Sequence, residues 1–180
     1  MELGTKGRRV YIGKLAGTSV FDPLGDQVGK VHDVVVVFRL KSEANVIGVV
    51  VEVGPRKRVF LPLTRITSIE SGSVITTGLL NIRSFNQRPI ETLVVSELFD
   101  RVVTMNDGSG QVQILDVAMR QRRPKDWVIS TLHVQRVRTS ALGFSRRGET
   151  LTVDVSEVSG LLKTDSNQAA TALVQYTEDM

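Results

Sequence analysis

Up to about residue 160 the apolar positions fall in short runs of Val, Ile and Thr, broken by Gly, Pro, Asp and Asn. This is the pattern of strands and tight turns. Thr18–Phe21 predicts a strand, Asp22-Pro23-Leu24-Gly25-Asp26 a turn, and Gln27 to about Arg39 the return strand of a first hairpin. Further strands are expected at Asn45–Val53 and Arg58–Leu63, reversed by Gly54-Pro55, with a short one at Ser73–Thr77. Val49, Val51 and Val53 alternate with Val50 and Glu52, so one face is wholly apolar and the other partly so, as in a central strand.

The chain also repeats itself. Ile12, Leu15, Val20, Gly25, Val31, Asp33 and Val34 recur as Val95, Leu98, Val103, Gly108, Ile114, Asp116 and Val117, each 83 residues later. Val46-Ile47 recurs as Val128-Ile129 at an interval of 82, and Leu61–Ile66 as Val153–Val158 at an interval of 92. The drift places an insertion between Arg136 and Glu149, which suits a longer, exposed hairpin loop. The expected fold is therefore all-β, with two tandem small β-barrels and a short C-terminal helix. Residues 8–80 form the first unit, 81–92 a linker rich in Asn, Gln and Pro, and 93–162 the second unit. In 163–180, a cap at Asp165 or Ser166 precedes Ala169, Ala170, Leu173 and Val174 at helical spacing. That stripe either packs on the second barrel or opens a further domain.

Charge changes the picture more than bulk composition does. The formal net charge is +4, and Arg120, Arg122, Arg123, Lys125, Arg136, Arg138, Arg146 and Arg147 crowd one stretch beside Trp127. These residues either decorate solvated hairpins or contact an acidic partner such as RNA, a phospholipid or an acidic protein face. Trp127 is either a core residue or a partner-gripping aromatic. The absence of cysteine removes disulfides, a thiolate nucleophile and cysteine-based metal sites. No apolar run approaches the roughly 20 residues of a membrane helix, and no secretory signal is visible, so a cytoplasmic setting is expected.

Candidate chemistry is sparse. Gly25–Lys30 has too few residues between its glycines for a phosphate loop and leads into a strand. Asn106–Gly110 lacks the spaced carboxylates of a calcium loop and predicts a tight hairpin turn. His32 and His133 have no second ligand at metal spacing, and no Ser–His–Asp arrangement emerges. No catalytic, cofactor-binding or metal-binding residue is expected. Asp33 and Asp116 fall on the alternating phase of Val31 and Val35, and of Ile114 and Ala118. Carboxylates at such positions are expected to be structural, accepting hydrogen bonds from the backbone N–H groups of a neighbouring turn.

Several stretches resemble the PRC-barrel family, a small β-barrel named after the photosynthetic reaction centre and shared with a ribosome-maturation factor. In the first copy these are Leu15, Asp22–Gly25, Val28–Val35 and Val59–Leu63; in the second, Leu98, Asp107-Gly108, Ile114–Val117 and Leu151–Val155. The second copy departs by having Val112-Gln113 after its turn in place of Gly29-Lys30, and by lacking a clear final strand. Tandem copies followed by a helical start are similar to the N-terminal region of actinobacterial proteins that carry the cytoplasmic N-terminal domain of the magnesium-transporter family. No residue matches a magnesium-binding motif. The resemblance implies a non-catalytic interaction and regulatory module that binds a protein partner or a downstream helical domain. The alternative it implies is an RNA- or ribosome-associated assembly factor.

Overall fold

The computed structural model describes residues 8–39, 44–70, 72–79, 82–139 and 145–162, with the backbone alone at 139 and 145–147. The helix expected in 163–180 lies outside the described residues. The first half runs β1 (Arg9–Tyr11), a single helical turn (Ile12–Leu15), β2 (Ser19–Phe21), β3 (Gln27–Val37), β4 (Asn45–Glu52), β5 (Arg58–Pro62), β6 (Ile66–Glu70) and β7 (Ser73–Thr76). The second half runs β8 (Glu91–Leu93), a helical turn (Val94–Leu98), β9 (Val102–Met105), β10 (Gln111–Arg123), β11 (Asp126–Thr139), β12 (Ser145–Asp154) and β13 (Val158–Ser159). The described residues are all-β apart from short helical turns, and the halves correspond strand for strand, with β7 having no counterpart among them.

The two expected closed barrels are not what forms. The thirteen strands among the described residues belong to one open sheet with the order β13-β9-β10-β11-β4-β3-β2-β7-β6, while β5 pairs β4, β12 pairs β11, β1 pairs β10 and β8 pairs β3. Two pairings explain why neither half closes on itself. The opening strand of each half leaves its own half: Val10 lies opposite Met119 of β10, and Thr92 lies opposite Val36 of β3. The halves also meet directly where Asn45 of β4 pairs with Val128 of β11, and the Ile129 N–H donates to the Ala44 carbonyl at 2.8 Å.

Packing follows the same plan. One contiguous apolar cluster runs through both halves, from Ile12, Leu15, Val34 and Val49 to Leu98, Ile114, Val117 and Leu132. Val35, Val50, Ala118 and Val128 are equally buried but stand outside that cluster. The reason is a pair of matching bulges. Pairing slips between Val31 and Asp33 on β3, and between Ile114 and Asp116 on β10. Each bulge adds one residue and flips the alternation, so Val34 and Val36 join the core rather than Asp33 and Val35.

Three further expectations change. The insertion between Arg136 and Glu149 is not simply a loop, because β11 and β12 stay paired out to Thr139 and Ser145. The segment expected to be a linker is also structured where it is described: Ser84 bridges Val59, the Phe85 N–H donates to the Arg58 carbonyl at 2.8 Å, and the Phe85 ring leans on Phe60. The second half does carry a final strand, β13, which pairs with β9.

Candidate functional site

The basic stretch divides into two groups. Arg123 pairs with Asp126 across the tip of the β10–β11 hairpin, where Pro124 fixes one backbone angle and Lys125 takes φ +64°. This tip carries Arg122, Arg123 and Lys125 exposed to solvent, with Arg120 half-buried beside Arg9 of β1. Arg122 is paired with Asp126 at 3.2 Å. Arg136 and Arg138 stand near the other end of β11, where Arg138 and Val137 lie opposite Arg146 and Arg147 on the backbone ladder. Arg136 donates to the Ser109 carbonyl and hydroxyl at 3.3 and 3.2 Å. At about 3.3 Å per residue, Lys125 and Arg136 are roughly 35 Å apart along the strand. The sequence cluster is therefore not one surface patch.

The tip group borders a concavity. A groove of about 260 Å³ lies between the halves. Leu63, Ile66 and Ile69 of the first half and Trp127 of the second are buried beneath it, and Thr67, Ser68, Gln121 and Pro124 complete its walls. Its charged lining residues are Arg8 and Lys125, with no carboxylate among the lining groups. Lys125 Nζ donates to the Thr64 carbonyl at 2.5 Å, which ties the hairpin tip to the first half. Arg8 sits 4.0 Å from Glu70 in an exposed pair. Such a pair holds its partners weakly in water, so Arg8 can re-pair with a ligand. Trp127 is 4% exposed, and the indole therefore belongs to the groove floor and the core, with no face free to stack a base.

Sequence reasoning singled out Lys125 and Trp127 in this groove, but it missed Arg8, Leu63, Ile66 and Ile69. The missed residues carry no local signal. Leu63 and Ile66 belong to a repeated apolar stretch that reads as ordinary core, and they become lining only because the other half's hairpin folds over them.

Asp33 and Asp116 join the halves reciprocally. Asp33 is fully buried and accepts from the N–H groups of Val34, Val95 and Ser96 at 2.7, 2.8 and 2.9 Å, and from the Ser96 hydroxyl at 2.7 Å. It therefore receives the first turn of the other half's Val94–Leu98 segment. Asp116 accepts from Val117 N–H at 2.8 Å and from Gly13 N–H at 2.9 Å, in the first half's Ile12–Leu15 turn. Gly13 and Ser96 are equivalent positions, and a Cβ on Gly13 would stand 2.8 Å from an Asp116 carboxylate oxygen. Carboxylates at the start of helical turns satisfy orphan N–H groups, and each of these two ties a turn of the opposite half to its own strand.

The remaining polar groups do not converge. His32 Nδ1 is 3.8 Å from Glu52, and His133 lies opposite Asp116 and Thr152 on neighbouring strands. Among the described residues no three His, Asp or Glu side chains are grouped to hold a metal, and no helix is long and apolar enough to cross a membrane. The Asp22–Asp26 turn is held by the Asp22 carboxylate, which accepts from Leu24 and Asp26 N–H at 3.0 and 2.9 Å.

No curated protein matches the chain. A family model does match part of it, and that match overturns the PRC-barrel resemblance together with the magnesium-transporter association built on it. Residues 92–164, less than half of the chain, are similar to the Actinomycetes SH3 domain.

Proposed function

We propose that the chain is a non-catalytic protein-interaction and regulatory module of the cytoplasm, and that the groove between its halves holds an acidic, partly apolar segment of a partner protein. One observation carries this reading: an apolar floor of Leu63, Ile66, Ile69 and Trp127 whose charged lining is Arg8 and Lys125 alone. Apolar floors supply affinity, while cations on the lining select for an acidic partner and disfavour a basic one. The likeness of residues 92–164 to an SH3 domain supports the same class of function, since SH3 domains dock extended peptide segments in surface grooves.

The rival reading of the positive charge is an RNA- or ribosome-associated assembly factor. It calls for a continuous basic track and exposed aromatic platforms. The separation of the arginines into two groups and the burial of Trp127 favour the peptide reading.

A random peptide library displayed against the full chain tests the proposal. Enriched sequences rich in Asp and Glu, shifting backbone amide signals in 63–69 and 121–127 on binding, are the expected result. Enriched peptides that shift only signals remote from the groove would refute it, as would the absence of any enriched sequence.

A further inference from the structure

Resting on that reading, we infer that the bound segment docks as an additional β-strand on the free edge of β6. β6 ends the strand order on one side of the sheet and, among the described residues, pairs with β7 alone. Its residues Ile66, Thr67, Ser68 and Ile69 line the groove, so the unpaired edge faces the concavity rather than open solvent. An unpaired edge presents a row of N–H and C=O groups that template another strand.

Natural edges are commonly blunted, and this one is blunted only in part. β6 is short, and its pairing with β7 slips between Ile66 and Ser68, with the Thr67 hydroxyl donating back to the Ile75 carbonyl at 3.1 Å. The β10–β11 tip then rises opposite it, turning an edge that any strand could join into a slot. Pro124 and Lys125 wall that slot, and the Lys125 Nζ bond to Thr64 holds the wall in place.

The chemistry of the slot defines the segment. An added strand puts alternate side chains on opposite faces. One set would meet the apolar floor of Ile66, Ile69 and Trp127, and the other would reach the rim carrying Arg8 and Lys125. The occupant is thus an extended stretch of five to seven residues, at roughly 3.3 Å each, in which β-branched residues alternate with Asp or Glu. A polyproline segment fits less well. It lacks the N–H groups that would pair with β6, and it docks on several aromatic rings, whereas this groove contributes one indole.

The test uses the full chain and a capped heptapeptide in which valine alternates with glutamate. Trp127 is the chain's one tryptophan and lines the groove, so its fluorescence reports occupancy. Two N-methylated versions separate backbone pairing from side-chain docking: one is methylated on alternate amides along one edge, the other along the opposite edge. We expect one of them to lose at least tenfold in affinity and the other to stay within twofold of the parent. Hydrogen exchange at the β6 amides should slow on binding. A heptapeptide with lysine in place of glutamate should not bind, and the double variant Arg8→Glu with Lys125→Glu should weaken the glutamate peptide at least tenfold while keeping the wild-type strand content by circular dichroism, its melting temperature falling with the lost Lys125–Thr64 bond.

If both methylated peptides bind like the parent while the double variant weakens all of them, strand addition is overturned and the groove survives as a side-chain docking site. If the glutamate heptapeptide leaves Trp127 fluorescence and the 63–69 amides unchanged, the strand inference falls. The displayed library then decides the broader reading on its own. Because the methylation comparison uses the wild-type chain, it stands even if a variant misfolds.

Discussion

Replacing Asp33 by alanine should be among the most damaging single changes in this chain, and the structure gives its size. The substitution strips four donors of their acceptor: the Val34 N–H, and, from the other half, the Val95 N–H, Ser96 N–H and Ser96 hydroxyl. A buried donor left without a partner costs about 1–3 kcal/mol. The three donors around Val95 and Ser96 are only part-buried, so water can reach them and the low end applies; the Val34 N–H is buried. The expected loss is about 4 kcal/mol, a large share of the roughly 5–15 kcal/mol that holds a domain folded. Asp116→Ala removes the equivalent group, but it strips only two donors, one of them exposed. Its loss should be about 1 kcal/mol. Urea unfolding measures the contrast, with the midpoint of Asp33→Ala falling about 1 M below that of Asp116→Ala at unchanged slope. Equal midpoints for the two variants would refute the reasoning, because the difference comes from the unequal donor sets and not from the carboxylate itself. A double-mutant cycle of Asp33→Ala with Ser96→Ala should show a coupling of about 0.5–3 kcal/mol, and additivity would mean that the two groups do not act together.

Other positions give sharper or weaker responses. Gly48 faces β5 so closely that a Cβ would collide with the Leu61 carbonyl oxygen and stand 2.7 Å from the Phe60 ring; Gly48→Val should cost about 3 kcal/mol by prising β4 from β5, read in the same urea experiment. Leu24 is 87% exposed on a turn that the Asp22 carboxylate already holds, so Leu24→Ser should change stability by less than about 0.5 kcal/mol, whereas Asp22→Ala should cost about 1 kcal/mol. Hydrogen bonds from the Ser109 side chain and backbone, with the Arg136 charge behind them, hold the Asp107 carboxyl below its ordinary value. The support this carboxylate gives its turn is present above the ordinary carboxylate range and is lost as pH falls through the lowered value. The Ser109 amide resonance should therefore titrate below that range and stop titrating in Asp107→Asn.

The local elements were largely legible, because each is written by short-range chemistry. Asp22-Pro23 and Gly25 announce the first hairpin, and the valines of 45–53 announce a central strand. The 83-residue spacing also carried the correspondence of the halves. What stayed hidden was partnership. Alternating valines specify extended backbone but not which strand lies alongside, so nothing near Val10 or Thr92 points to β10 or β3. A bulge is a one-residue slip with no distinctive composition, and the slips at His32 and Leu115 reversed the phase assigned to Asp33 and Asp116. The same limit applies to the groove. Arginines adjacent in a list of residues lie far apart once an extended strand separates them, while Ile66 and Trp127, distant in sequence, come together over the same concavity.

β7 has a consequence for stoichiometry. In the β8–β13 half the closing strand β13 ends the sheet directly against β9, but in the other half β7 inserts between β2 and the equivalent β6, so that β6 ends the sheet one strand farther out. A chain built by doubling would ordinarily carry two equivalent docking sites. Here the wedge breaks the equivalence, so titration calorimetry should count one ligand per polypeptide rather than two.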